Sequence, residues 1–167
     1  MPKLELSGLA FVVICLSSAC ASQPPPRSQP NQLLGDVMPS FESKTLNGNQ
    51  LFSGAYQGRR VVVSFVAADC DACDKTLKAA QSMYSDMSDV VVVGVFGAGD
   101  EGSANTLVKR HELRFPVVVD SDGAIARLFH VEERPTTFVA DGYGRVKWVG
   151  GSALTEEGLT SAVRHTN

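Results

Sequence analysis

The sequence has no apolar run that approaches the roughly 20 residues needed to cross a bilayer. It has no basic stripe either. Its longest basic run is Arg59–Arg60 and its formal net charge is −3, which argues against nucleic acid as a partner. The three histidines, His111, His130 and His165, are scattered, and no internal repeat is visible. What remains is a 167-residue chain, 44 % hydrophobic and 20 % charged, whose composition allows one packed domain.

The N-terminus has the layout of an export signal. Leu9–Leu16 is an eight-residue apolar run of signal-peptide length, and small residues lead from it into Cys20. This pattern resembles the lipobox of bacterial lipoproteins, which implies cleavage before Cys20 and a lipid on that cysteine. The match departs at Ser17, where Leu or a similar residue is usual. An ordinary secretory signal cleaved near Ala19 or Ala21 is the alternative.

The segment after this signal is rich in Pro, Ser and Gln and has no apolar periodicity. Such a composition predicts a flexible tether. The predicted organisation is therefore a lipoprotein-type signal peptide over 1–19, a tether over 20–33 and a folded domain over 34–167. Of the four cysteines, only Cys70 and Cys73 fall in that domain, and export places them where disulfides persist.

Apolar and amphipathic stretches alternate along the domain, which predicts an α/β fold. Five β-branched runs are predicted strands: Val61–Ala68, Val90–Phe96, Pro116–Asp120, Thr136–Ala140 and Arg145–Val149. Four predicted helices follow Cys73 to Met87, Ser103–Glu112, Gly123–Phe129 and Thr155–Arg164. Asn47-Gly48 predicts a hairpin within Phe41–Phe52. The order predicts a sheet that is parallel in its first half and closed by antiparallel strands, with helices covering it.

The Cys-X-X-Cys pair directly follows a predicted buried strand and opens a helix. Free N–H groups and the helix dipole favour a thiolate on Cys70, which is the reactive species. Cys73, one turn inside, is placed to attack a mixed disulfide formed on Cys70. We therefore expect Cys70 to be the exposed nucleophile and Cys73 the buried resolving thiol. A zinc site, which needs about four ligands, and an inert structural disulfide are the alternatives.

Several separate motifs together resemble the TlpA-like and ResA-like thiol–disulfide oxidoreductases, membrane-tethered proteins related to the peroxiredoxins and the AhpC/TSA proteins. These motifs are Gly35–Phe41, Leu46–Gly48, Gly58–Phe65, the Cys70/Cys73 pair, Arg134–Val139 and Asp141-Gly142. The resemblance implies a thioredoxin-like fold, with a central mixed sheet flanked by helices, an N-terminal β-hairpin and a β-α insertion before the strand that follows a cis proline. It also implies a redox-active Cys70–Cys73 disulfide without a cofactor or metal.

In the family, the proline that matches Pro135 is cis and faces the reactive cysteine. The resemblance therefore implies a substrate-binding loop at Arg134, Pro135 and Thr136, where an extended substrate segment pairs with the backbone of Arg134. A trans proline at the start of an edge strand is the alternative interpretation of Pro135.

The chain departs from the family pattern beside the cysteines. Asp69 stands where Trp is usual, and Ser64 and Thr76 occupy two positions where relatives carry acids. A thiol peroxidase is an alternative function, but Val63 and Ala67 stand where its Pro and Thr are expected. A copper-binding module is the other alternative, although such relatives use a three-residue gap between their cysteines.

Three acids, Asp69, Asp71 and Asp74, crowd the cysteine pair. They oppose a thiolate on Cys70, whereas Arg134 beside a cis proline favours it; alternatively the acids only cap the helix. A destabilised thiolate makes the couple more reducing, so a disulfide reductase is favoured over an oxidase. The expected partners are protein thiols and disulfides of the cell envelope, a membrane or soluble thiol electron donor, and the membrane itself through Cys20.

Overall fold

The computed structural model describes residues 24, 26–97 and 99–166 of the chain. The predicted signal run and Cys20 lie outside these residues. The strands are β1 (Glu42–Lys44), β2 (Gln50–Phe52), β3 (Arg60–Val66), β4 (Val90–Gly97), β5 (Val117–Asp120), β6 (Thr136–Ala140) and β7 (Val146–Gly150). The helices are α1 (Asp71–Asp86), α2 (Glu101–Arg110), α3 (Ala124–Leu128) and α4 (Glu156–Arg164). Within the described part of the chain, no helix is both long and apolar enough to span a membrane.

A five-stranded mixed sheet in the order β5-β4-β3-β6-β7 forms the centre of the domain. β3, β4 and β5 are parallel neighbours, whereas β6 is antiparallel to β3 and to β7. Parallel neighbours need a crossover connection, and the helices α1 and α2 supply it. This is the predicted mixed α/β architecture, including the additional β5–α3 unit before β6 and the separate antiparallel hairpin of β1 and β2.

Both faces of the central sheet are covered, which explains why its strands are continuous apolar runs rather than alternating ones. Val62 and Val66 of β3 face a core shared with α1, α2 and α4. Val63 and Phe65 point to the other face, where they pack with α3 and the β1–β2 hairpin. Successive side chains of a strand point to opposite faces, so β3 contributes to both cores.

The N-terminal segment begins to pack on the domain earlier than the sequence indicates. The amide of Gln29 donates to the carbonyl of Val149 at 2.7 Å, and the indole Nε1 of Trp148 donates to the carbonyl of Pro26 at 2.8 Å. The side chain of Ser28 also accepts from the amide of Val149 at 2.9 Å. The predicted tether over 20–33 stays a prediction, but from residue 26 onward it makes hydrogen bonds with β7 that composition alone does not reveal.

Candidate active site

Three segments that are distant in sequence meet where the central strands β3 and β4 end. β3 and β4 are parallel, so both end on this side of the sheet, and the antiparallel β6 begins there. The register places Thr136 opposite Phe65 and places Phe96 opposite Val66. The loop before β6, the end of β4 and the connection from β3 to α1 are therefore neighbours.

Cys70 lies at the start of α1, four residues after β3 ends. It is the N-cap residue, with an extended backbone, and its Sγ accepts a hydrogen bond from the amide of Cys73 at 3.1 Å. The first amides of a helix have no partner within the helix, so a sulfur at this position receives a donor and the positive end of the dipole. The geometry favours negative charge on the sulfur of Cys70 when it is reduced.

Cys70 and Cys73 form a disulfide, with an S–S distance of 2.09 Å and a Cα–Cα distance of 5.2 Å. The two residues differ in access to solvent. Cys70 is partly exposed, whereas Cys73 is completely buried, in the core shared with α1. A substrate can therefore reach the sulfur of Cys70 first, and the sulfur of Cys73 only through it.

The peptide bond between Arg134 and Pro135 is cis, and the loop containing it faces the disulfide. The carbonyl oxygen of Arg134 lies 3.8 Å from Sγ of Cys70. A disulfide sulfur carries no proton, so this is a contact rather than a hydrogen bond. Thr136 is buried, and its hydroxyl donates to the carbonyl of Glu133 at 2.7 Å, which ties the loop to the start of β6.

The guanidinium of Arg134 contacts a different part of the protein from its carbonyl oxygen, which contacts the sulfur of Cys70. It lies against Gly97 at the end of β4, and its Nε is buried without a hydrogen-bond partner. The sequence predicts a positive charge beside Cys70, but the atom of Arg134 that contacts the sulfur is a backbone oxygen. The motif predicts that Arg134 lies near Cys70, but it does not predict where the side chain of Arg134 points.

The three acids near the cysteines have different surroundings. Asp69 and Asp71 are exposed, and Asp71 is the first residue of α1. Asp74 is paired instead: its Oδ1 lies 2.8 Å from Nε2 of His111, whose side chain is only 5 % exposed. Sequence reasoning missed His111, which follows α2 and is 37 residues from Asp74. No spacing rule connects the two positions, so only the packing of α2 beside α1 brings them together.

Two polar residues near the pair are bonded within the protein. Ser64 is fully buried and its hydroxyl lies 3.0 Å from that of Thr137 on the adjacent strand. Thr76 is buried and donates to the carbonyl of Ala72 at 3.3 Å. Both hydroxyls are therefore bonded within the protein, and neither replaces the acid that relatives carry at its position, since a hydroxyl is not ionised near neutral pH.

The other two histidines lie at helix ends. His130 follows α3 and has a left-handed backbone, with φ of 52°. His165 ends α4, where its Nδ1 lies 2.8 Å from the carbonyl of Ser161. Over residues 24, 26–97 and 99–166, no group of three or more His, Cys, Asp or Glu side chains is arranged to hold a metal ion.

Comparison with known proteins agrees with this geometry. The model of the AhpC/TSA family matches residues 34–149. Thiol-disulfide oxidoreductase ResA of Bacillus thuringiensis is 25 % identical over 115 residues, which are 68 % of this chain and 66 % of that protein. Sporulation thiol-disulfide oxidoreductase A of Bacillus subtilis is 27 % identical over 124 residues, covering 71 % of this chain and 74 % of that protein.

Solved structures show the same fold. StoA from Bacillus subtilis superimposes with a TM-score of 0.65 at 25 % identity, covering 75 % of this chain and 97 % of that one. A secreted Mycobacterium tuberculosis disulfide oxidoreductase, described as homologous to E. coli DsbE, gives 0.70 at 22 % identity and covers 74 % and 94 %. The architecture is thioredoxin-like. The family match covers well over half of the chain, so the chain belongs to the AhpC/TSA family, within which it is similar to the ResA-like proteins.

Proposed function

We propose that this protein is a thiol–disulfide oxidoreductase that reduces disulfides of exported proteins. The observation that carries the proposal is the Cys70–Cys73 disulfide, with an accessible sulfur on Cys70, a buried one on Cys73 and the cis-proline loop in contact with Cys70. The names of the relatives, thiol-disulfide oxidoreductases, support the same chemistry.

The reaction proceeds by two exchanges. The Cys70 thiolate attacks one sulfur of the substrate disulfide; the S–S bond breaks, the other substrate sulfur leaves as a thiolate and takes up a proton, and a mixed disulfide forms. The Cys73 thiolate then attacks the Cys70 sulfur, releasing the second substrate thiol and closing the Cys70–Cys73 bond. Two electrons and two protons pass from the protein dithiol to the substrate. A thiol electron donor must then reduce the Cys70–Cys73 disulfide again.

The exposed acids support the reducing direction. Asp69 and Asp71 stand beside the N-cap sulfur, where negative charge opposes a thiolate on Cys70. A less stabilised thiolate means a less stabilised dithiol, which lowers the reduction potential. The hydrogen bond from the amide of Cys73 acts in the opposite sense, so the measured potential decides the direction.

We also propose that the protein is exported and held at a membrane by a lipid on Cys20. The support is the apolar run Leu9–Leu16 followed by small residues and a cysteine. Its partners are then disulfides of proteins in the same compartment and a thiol donor that is either soluble or embedded in the membrane.

Trapping of the intermediate tests the division of labour. In Cys73→Ser, the mixed disulfide on Cys70 cannot be resolved, so we expect stable adducts with disulfide substrates such as insulin. Cys70→Ser should form none, because Cys73 is buried. Mass spectrometry of the adducts identifies the attached cysteine. Adducts found mainly on Cys73 would contradict the assignment.

The reduction potential tests the direction. Asp71→Asn should raise the potential by roughly 30 mV if the pKa of Cys70 falls by about one unit. Asp86→Asn, at the other end of α1, is the matched control and should leave it unchanged, since about 22 Å of helix separates the two positions. Equilibration with glutathione measures both. A wild-type value near about −120 mV, that of a strong oxidant, would refute the reductase proposal. Peroxide consumption and copper titration on the same samples test the two alternative functions.

A further inference from the structure

The side chain of Arg134 is a cation at the edge of the active site for which the described residues supply no acceptor. Its Nε is buried and has no hydrogen-bond partner. The ion pairs formed by residues 24, 26–97 and 99–166 do not include it, although Glu132 and Glu133 precede it directly in the chain. Buried polar groups in native proteins are almost always satisfied, and Nε is the nitrogen of this guanidinium that is both buried and unpartnered, so a ligand would bind through the terminal nitrogens Nη1 and Nη2.

The guanidinium lies in a cradle that only glycine leaves open. A Cβ at Gly97 would stand 2.5 Å from Nη2, 2.8 Å from Nε and 2.9 Å from Cζ of Arg134. Gly97 is a strand residue paired with Asp120 of β5, so it is the missing side chain, rather than an unusual backbone, that makes room. The guanidinium therefore rests against the end of β4, in space that a side chain at position 97 would occupy.

Arg134 links this cradle to the reactive sulfur through its own backbone. The backbone oxygen of Arg134 contacts Sγ of Cys70, and the side chain of the same residue reaches the end of β4, the strand next to β3. A substrate cysteine bonded to Cys70 would lie next to the backbone of Arg134. The residues flanking that cysteine would then be within reach of the guanidinium.

We propose that Arg134 is a specificity-determining residue that binds a carboxylate of the substrate, carried by an Asp or Glu next to the substrate cysteine. The proposal rests on the thiol–disulfide exchange described above and names the substrate class that the site selects. A guanidinium presents N–H donors in a planar fork that matches a carboxylate, and such charge-assisted hydrogen bonds are among the strongest in proteins.

The exposed acids around the site do not remove this preference. Asp69 and Asp71 are exposed, so water weakens their repulsion of an acidic substrate, and salt screens it further beyond a Debye length of about 10 Å at 0.1 M ionic strength. The fork of Arg134 acts by direct contact, and the bound substrate excludes water from it. We therefore expect the contact to outweigh the repulsion at physiological salt.

Matched peptides test the proposal on the full mature protein. Each is a capped pentapeptide with a central cysteine activated as a thiopyridyl disulfide and flanked by Glu, Gln or Lys. The reduced protein attacks the peptide sulfur, pyridine-2-thione leaves and is measured by absorbance, and Cys73 then releases the peptide thiol. With wild type, the second-order rate constant for the Glu peptide should exceed that for the Gln peptide by about tenfold, the size expected for one charge-assisted hydrogen bond.

Three variants distinguish carboxylate binding by the Arg134 guanidinium from an effect of net charge and from a loss of folded protein. Arg134→Gln should bring the Glu-to-Gln ratio close to one. Gly97→Ala should also lower it while keeping the charge, because the added Cβ displaces the flexible end of Arg134. Arg59→Gln removes an equal charge at the other end of β3, where the guanidinium donates to the carbonyl of Ser88, and should keep the wild-type ratio. Because the ratio compares two peptides on one protein, partial loss of active material does not affect it.

The outcomes distinguish this proposal from the general function. Equal rates for the Glu and Gln peptides, a faster Lys peptide, or a preference that survives Arg134→Gln would overturn the role of Arg134. If wild type reacts no faster than Cys70→Ser with every peptide, the oxidoreductase function itself fails.

Discussion

At the scale of single residues, His111 makes one of the three acids near Cys70 different from the other two. The sequence treats Asp69, Asp71 and Asp74 as one group, but only Asp74 has an imidazole within 2.8 Å, on a nearly buried His111. A hydrogen bond to a carboxylate withdraws part of its charge from the surroundings. The pair therefore limits how strongly Asp74 opposes a thiolate at the start of α1.

We predict that His111→Ala makes the couple more reducing. Without its partner, Asp74 opposes the Cys70 thiolate more strongly, so the reduction potential should fall by up to roughly 30 mV, the change that follows from about one pKa unit. The lost hydrogen bond should lower the free energy of unfolding by about 0.5–1.5 kcal/mol. Glutathione equilibration and urea unfolding measure the two effects.

A double-mutant cycle separates tuning from structure. In an Asp74→Asn background, His111→Ala should no longer shift the potential, since the charge it controls is gone. His165→Ala, at the end of α4, is the control for loss of an imidazole elsewhere. A lower stability of His111→Ala with an unchanged potential would show that the pair only joins α2 to α1.

Individual site residues differ in how far the sequence predicts them. The two-residue gap between Cys70 and Cys73 is typical of redox-active cysteine pairs, and Pro135 belongs to a motif of the family. All three residues are therefore recognisable without a structure. His111 and the guanidinium of Arg134 are not, because their partners depend on side-chain directions across elements. The periodicity of a sequence predicts individual helices and strands, but it does not predict which side chains of two different elements touch.

At the scale of elements, the turn between β6 and β7 depends on one buried carboxylate. Asp141 is 3 % exposed, and its Oδ1 accepts from the amides of Tyr143 and Arg145, each at 2.9 Å. Its Oδ2 lies 3.3 Å from Nζ of Lys147. Burial alone would raise the pKa of Asp141, but the hydrogen bonds from Arg145, Lys147 and Tyr143 together lower it below its ordinary value.

The lowered pKa gives this turn a predictable pH dependence. A carboxylate with a lower pKa in the folded state stabilises the protein above its unfolded pKa, near about 3.9, and loses that contribution as the pH falls through the folded pKa. Asp141→Ala should therefore destabilise the domain by about 1–3 kcal/mol at pH 7, because two amides lose their acceptor. The deficit should shrink in acid.

Urea unfolding of wild type and Asp141→Ala from pH 7 down to pH 3 measures this difference. Asp122→Ala is a useful comparison, since Asp122 is an exposed turn residue whose carboxylate accepts from the amide of Ala124. A deficit for Asp141→Ala that is independent of pH would mean that the ionised form is not what stabilises the turn.

Element types and order follow from the sequence because the signals are strong and local. The runs of Val in β3 and β4 and the amphipathic period of α1 are of this kind. The Asn47-Gly48 hairpin is also present, with Gly48 at φ of 82°, although its loop runs from Thr45 to Asn49. The boundaries shift by a few residues because caps such as Cys70 and Asp100 depend on hydrogen bonds at the helix ends.

At the scale of the whole molecule, the N-terminal segment closes one edge of the sheet. Gln29 pairs with Val149, the amide of Gly35 donates to the carbonyl of Val146, and Val37 bridges to Arg145. β7 would otherwise present unpaired backbone groups, which favour association between chains. The segment therefore belongs to the domain, and less chain remains to act as a spacer.

This packing shortens the reach of a lipid anchor on Cys20. Only five residues lie between Cys20 and Pro26, so the six steps along the chain span at most about 20 Å when fully extended. A tether that ran to residue 33 would allow more than twice that distance. The β7 face of the domain, around Trp148 and Pro26, is then held close to the membrane, provided that Cys20 is lipidated.

Trypsin tests both the anchor and the packing on membrane-bound protein. Arg27 is exposed and is the only Lys or Arg between Cys20 and Lys44, so cleavage after it should release the domain and leave residues 20–27 in the membrane. Cleavage requires the segment to leave β7, because Ser28 and Gln29 follow the cut directly and are hydrogen-bonded to Val149. Gln29→Pro removes the donating amide and should speed release several-fold, whereas Gln29→Ala keeps that amide and should not. Mass spectrometry should find a lipid on Cys20 in the retained peptide, and an unmodified Cys20 would contradict the anchor. Equal release rates for all three proteins would show instead that the segment is as open to protease as a free tether.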